Sequence, residues 1–144
     1  MSAGAGPGGG AAVVSRPHVL LVEDYPDNRV LVSAVLGDAG WQVTVAEDAP
    51  SCDRQLGGGL EPDLFLIDLS LPGEDGWSLV RRLRQDPHWR DRPMVALTAH
   101  AMDGDIRRGL RAGFDGYLTK PIDLTTFPTT LAGWLRSPAA AEGG

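Results

Sequence analysis

The chain has 144 residues, a hydrophobic fraction of 42% and a formal net charge of −6, which suits one globular domain with a real core. The acidic balance argues against a general nucleic-acid binder, which is more often basic. The single cysteine, Cys52, excludes an internal disulfide and fits a reducing, cytoplasmic setting. No apolar run approaches the ~18–20 residues that span a bilayer, and the N-terminus lacks the charged and apolar regions of a signal peptide.

Residues 1–15 read as a flexible Gly/Ala-rich tail. Gly4-Ala5-Gly6-Pro7-Gly8-Gly9 formally matches G-x-G-x-x-G, but no strand precedes it and no helix opens from it, and the dinucleotide motif needs both. The folded unit is expected over residues 16–137, with a second short tail over 138–144.

Within that unit apolar, β-rich runs alternate with helical patterns. His18–Glu23 is the first strand. A helix follows from Pro26-Asp27, with proline suited to its first turn, and stops before Gly40. Leu31, Val32, Val35 and Leu36 mark its inner face. Trp41–Ala46 is the second strand. A short helix over about Ala49–Leu56 is closed by Gly57-Gly58-Gly59.

Asp63–Asp68 is the third strand. The third helix covers about Asp75–Gln85, with Leu79, Val80 and Leu83 inward. In the loop DPHWRDRP, Trp89 is expected as an exposed contact point. Met94–Thr98 is the fourth strand.

The fourth helix, about Asp103–Ala112, turns Ile106 and Leu110 inward and is capped by Gly113. Its Gly104 and Gly109 each cost ~1 kcal/mol relative to alanine, so this helix is expected to be loose. Asp115–Thr119 is the fifth strand. A last helix lies near Leu124–Arg136, and Pro128 pushes its start toward Thr126. Five strands alternating with five helices make an α/β domain with a parallel sheet covered on both faces.

Such sheets bind ligands beyond the carboxyl ends of their strands. Glu23-Asp24 ends strand one, Asp68 strand three and Thr98-Ala99 strand four; Lys120-Pro121 follows strand five. Singly, each has an ordinary reading as a turn, a cap or a surface residue. Together they place three carboxylates, a hydroxyl and an ammonium in one space. The carboxylates call for a hard divalent cation such as Mg2+, and Lys120 and Thr98 suit phosphoryl oxygens. The pattern fits phosphoryl transfer onto a carboxylate, with Asp68 held at the sheet's edge and not buried.

LLVEDYPDNRVLV, LIDLSLPGEDGWSLVRRLR, MVALTAHAM and GYLTKPID, in this order over roughly residues 17–136, resemble the receiver domain of bacterial response regulators. The nearest likeness is to single-domain cell-cycle-type regulators and to receivers of hybrid kinases. The resemblance implies a doubly wound, flavodoxin-like (βα)5 fold with strand order 2-1-3-4-5. It makes Asp68 the phosphoacceptor, with Mg2+ held by Asp24, Asp68 and the backbone carbonyl of Ser70. Glu23 acts mainly through metal-bound water. Lys120 contacts the phosphoryl group and precedes a cis peptide at Pro121. Thr98 and Tyr117 are the switch pair, Ala99 leaves room for the group, and Ser70 and His100 tune its lifetime.

On this reading the chain is a stand-alone, cytoplasmic response regulator, a monomer or weak dimer. It is phosphorylated by a sensor histidine kinase or a histidine phosphotransfer protein and acts by contact with a downstream protein. It is no enzyme beyond its own phosphorylation and dephosphorylation, and it binds neither nucleic acid nor membrane. The arginines Arg81, Arg82, Arg84, Arg107, Arg108 and Arg111 read as solvated faces pairing with acids. The rivals are a receiver excised from a hybrid kinase, a non-phosphorylated adaptor, a flavin carrier and an aspartyl phosphatase. Glu23-Asp24 would repel a flavin phosphate, and Ser70 stands where the phosphatases carry a second aspartate.

Overall fold

The computed structural model describes residues 16–99 and 103–135. The expected tails, His100 and Arg136 lie outside the described residues. Five strands, β1 (His18–Val22), β2 (Gln42–Ala46), β3 (Leu64–Asp68), β4 (Met94–Thr98) and β5 (Gly116–Thr119), form one parallel sheet in the order β2-β1-β3-β4-β5. The helices are α1 (Pro26–Asp38), α2 (Ala49–Gly57), α3 (Gly76–Gln85), α4 (Asp103–Ala112) and α5 (Phe127–Ala132). The expected doubly wound α/β fold and strand order are those observed.

The three central strands are continuous apolar runs because both of their faces are covered. Val19, Leu21, Leu64, Leu66, Val95 and Leu97 pack with Val32 and Leu36 of α1 and with Phe127 and Leu131 of α5. Leu20, Val22, Phe65, Ile67, Met94 and Ala96 face the other way, toward Cys52 of α2 and Leu79, Val80 and Leu83 of α3. The side-chain period of two along each strand divides the core this way.

Local chemistry sets the helix starts. Asp48 caps α2 by accepting from the Ser51 N–H at 2.9 Å, and Asp75 caps α3 by accepting from the Ser78 N–H at 2.8 Å. Thr126 precedes α5, so Pro128 falls in the first turn, where its missing N–H has no helical partner to lose. The helix is six residues long, shorter than the expected Leu124–Arg136. Trp134 lies just beyond it with its indole against Gly116, in the space that a Cβ there would need.

Three expectations about burial are corrected. Leu31 and Leu110, assigned to inner faces, are 45% and 52% exposed. The buried stripe of α1 is narrower than the periodicity suggests, and the side chain of Ile106 on α4 lies outside the described residues. Trp89, expected to be exposed, is buried; its ring meets Phe65 edge-on at 5.7 Å, and Arg92 lies over it. The arginine reading holds for Arg82, which pairs with Asp53 and Glu74, but only in part for Arg84, which pairs with Asp115 yet is mostly buried. Arg84 also donates to the carbonyls of Gly113, Arg90 and Arg92, tying α3 to the turns that lead into β4 and β5.

Candidate functional site

β3 ends in Asp68, whose residue is 2% exposed. Burying a lone ionised carboxylate costs several kcal/mol, and the structure meets this with two partners. Oδ1 accepts from the Ser70 N–H at 2.8 Å, and Oδ2 accepts from Lys120 Nζ at 2.8 Å. Leu64, Phe65, Leu66 and Ile67, all fully buried, stabilise by roughly 1.5–3 kcal/mol each and hold the strand end in place. The expectation that Asp68 avoids burial is therefore corrected: it is buried and paired.

β1 brings the acidic pair. The Glu23 N–H makes the last sheet bond, to the Ala46 carbonyl, before the chain turns away. Glu23 is buried, while Asp24 is exposed at the mouth. Glu23 Oε1 lies 2.9 Å from Lys120 Nζ, so this lysine bridges Glu23 and Asp68. Burial pushes the Glu23 carboxyl up, as does the Asp68 carboxylate beside it, against the pull of Lys120. For Lys120, burial acts downward, but bonds and charge from Asp68 and Glu23 outweigh it and hold the ammonium above its usual value.

Oxygens of Glu23, Asp24 and Asp68 lie within 4.8 Å of one another. This cluster of hard oxygen donors fits a hard divalent cation. Thr98 is buried at the end of β4, and its carbonyl accepts from the Lys120 N–H at 2.8 Å. Lys120-Pro121 is a cis peptide, as expected. Tyr117 is 40% exposed on β5, level with Ala96. Ala99 is exposed beside Thr98.

Sequence reasoning misses two residues on the first turns of α1. Asn28 Nδ2 donates to Glu23 Oε1 at 3.2 Å. Arg29 Nη1 donates to the carbonyls of Glu23 at 3.0 Å and Asp24 at 2.8 Å. A signal for them exists: Tyr25-Pro26 offers no capping side chain, so the turn before α1 needs support from elsewhere.

The sequence pattern of the response regulator receiver domain matches residues 19–132, and the chain belongs to that family. It is 42% identical over 114 residues to an uncharacterized 14.6 kDa protein of Leptolyngbya boryana, covering 76% of this chain and 83% of that one. It is 38% identical over 127 residues to the phosphate regulon transcriptional regulatory protein PhoB of Escherichia coli, covering 87% of this chain but only 55% of PhoB. Among solved structures, the receiver domain of the sensor histidine kinase PA1611 from Pseudomonas aeruginosa superposes with a TM-score of 0.75 at 35% identity. The match covers 83% of this chain and 98% of that one, and that structure holds a magnesium ion in its active-site cleft. The chemotaxis regulator CheY4 of Vibrio cholerae gives a TM-score of 0.79 at 27% identity, covering 84% and 100%.

Receiver domains are signalling modules that work with histidine kinases or phosphotransfer proteins. No helix among the described residues is long and apolar enough to cross a membrane.

Proposed function

We propose that Asp68 accepts a phosphoryl group from a phosphohistidine on a sensor histidine kinase or a histidine phosphotransfer protein. The observation that carries this is the bridge of Lys120 between two buried carboxylates, Glu23 and Asp68, at the carboxyl end of the sheet. An Asp68 carboxylate oxygen attacks phosphorus, the phosphorus–nitrogen bond breaks, and the imidazole leaves with the electron pair and takes up a proton. The product is an acyl phosphate on Asp68, returned to carboxylate and inorganic phosphate by water.

Glu23, Asp24, Asp68 and the Ser70 carbonyl would hold Mg2+, with Glu23 acting mainly through a bound water. The ion supplies charge neutralisation for the transferring group. Lys120 moves its ammonium onto a phosphoryl oxygen, and the Thr98 hydroxyl hydrogen-bonds another. Tyr117 turns inward behind Thr98, and the small Ala99 leaves the group room. Occupancy of that space biases the packing of α4, β5 and α5, and the altered face contacts a downstream protein in the cytoplasm.

Incubation with magnesium and a small phosphodonor, read by intact mass, tests the proposal. One added phosphoryl group, lost in Asp68→Asn, is expected. No addition under conditions that label a control receiver overturns it. As a stand-alone regulator, the native product on an immunoblot is expected near 15.3 kDa. A much larger product would make this a receiver within a longer sensor kinase.

A further inference from the structure

The turn between β1 and α1 carries two of the three clustered carboxylates, and within that turn the Tyr25 N–H donates to Glu23 Oε2 at 3.2 Å. Its N-cap position is Tyr25, which makes no side-chain cap, and the next residue is Pro26, which has no N–H. The last sheet bond in this strand is made at the Glu23 N–H, so the carbonyls of Glu23 and Asp24 lie beyond the ladder. Both accept from one nitrogen, Nη1 of Arg29, at 3.0 and 2.8 Å. Asn28, one residue earlier on the helix, holds Glu23 Oε1 at 3.2 Å.

We infer that Arg29 is a positioning residue for the metal site: by gathering the carbonyls of Glu23 and Asp24 it fixes where their carboxylates stand relative to Asp68. Both of these bonds go to backbone oxygens and leave the carboxylates to the cluster. Arg29 acts on the backbone that bears them, through a charge-assisted donor that is stronger than a neutral one. Nη1 serves both carbonyls at once because it carries two hydrogens and sits at the end of a long, planar head. Lysine or glutamine at the same place can offer a donor but not at the same reach and orientation. Asn28 then sets the orientation of the Glu23 carboxylate within the turn so fixed. Groups that orient metal ligands without binding the ion typically matter by roughly 10–100-fold in metal affinity.

This inference rests on the proposed magnesium site, and the test separates the two. Magnesium binding to the full chain is measured by calorimetry, with the unfolding midpoint recorded in EDTA. The wild type is compared with Arg29→Ala, Arg29→Gln and Arg29→Lys. Arg29→Ala is expected to bind magnesium on the order of tenfold more weakly. Arg29→Gln and Arg29→Lys, which keep a donor, should lie between it and the wild type even when their unfolding midpoints match that of Arg29→Ala.

A wild type that binds no magnesium overturns the metal site itself. A wild type that binds, with all three variants binding equally well or more tightly, overturns the role of Arg29 and leaves the metal site standing. Should Arg29→Ala fail to fold, the order of Arg29→Gln and Arg29→Lys against the wild type decides: weaker binding supports the role, and equal or tighter binding overturns it.

Discussion

A Cβ on Gly76 would lie 2.5 Å from the carbonyl oxygen of Asp68 and 2.9 Å from Cα of Leu69. The first residue of α3 is thus seated on the backbone of the strand end that carries Asp68. Alanine is the better helix former by about 1 kcal/mol, but here overpacking against backbone dominates and costs roughly 1–3 kcal/mol. Gly76→Ala is expected to lower the urea midpoint without changing its slope. A midpoint at or above that of the wild type would contradict the close approach.

Lys120 is 23% exposed at its side chain, and its two partners are almost wholly buried. Removing one member of a buried pair leaves an uncompensated charge and costs about 3–5 kcal/mol. Lys120→Ala should lose stability of that order in EDTA at neutral pH, and magnesium should restore part of it. Equal urea midpoints for wild type and variant in EDTA would show that the bridge contributes nothing.

Much of this site is legible in the amino-acid sequence. The runs ending in Glu23, Asp68 and Thr98 are too uniformly apolar for surface strands, and their common polar ends identify the functional edge. Asp75 and Pro128 mark helix starts by their own chemistry. The uncapped Tyr25-Pro26 turn signals a need for support, but that Arg29 and Asn28 answer it is not legible, because their partners are carbonyls and a carboxylate set by the turn's path. Trp89 defeats a sequence reading since periodicity carries no information about a loop residue, and its burial depends on Phe65 in a distant strand. Leu31 and Leu110 sit at the flanks of their helical stripes, where counting residues cannot fix the width of the contact.

Cys52 is fully buried against the α2 side of the sheet. Burial, chiefly, pushes its thiol up to about 12, with Asp53 adding to the shift. Since the thiolate is the reactive form, the native protein should show no titratable thiol with Ellman's reagent at about pH 8, near the ordinary thiol value. One thiol should appear on unfolding in guanidinium. Rapid reaction of the native chain would place Cys52 elsewhere.

A Cβ on Gly109 meets Phe114 at 3.7 Å and the Trp77 indole nitrogen at 3.8 Å, ordinary contact distances. The position can therefore take alanine, and α4 should gain about 1 kcal/mol in local stability. Amide exchange in α4 is expected to be faster than in α3 for the wild type and to slow in Gly109→Ala. Equal protection of α3 and α4 in the wild type would remove the case for a loose fourth helix.

His18 bonds Thr44 Oγ1 at 2.7 Å through Nε2, and burial lowers its pKa, with Asp63 opposing. The unfolded chain therefore binds the proton more readily than the folded one. The stability involved is fully present above the ordinary histidine value of 6.5 and is lost as pH falls through the lowered folded value. The difference in melting temperature between wild type and His18→Gln should shrink as pH falls below 6.5. A difference that grows on acidification would mean the opposite sign of shift.

The indole of Trp134 against Gly116 has a practical meaning for anyone trimming this protein. By helix boundaries, the last element ends at Ala132. A fragment cut there would keep every strand and helix described above and still leave the start of β5 bare, since Gly116 has no side chain of its own to cover it. The working end of the domain is set by a ring outside any helix, two residues further along the chain.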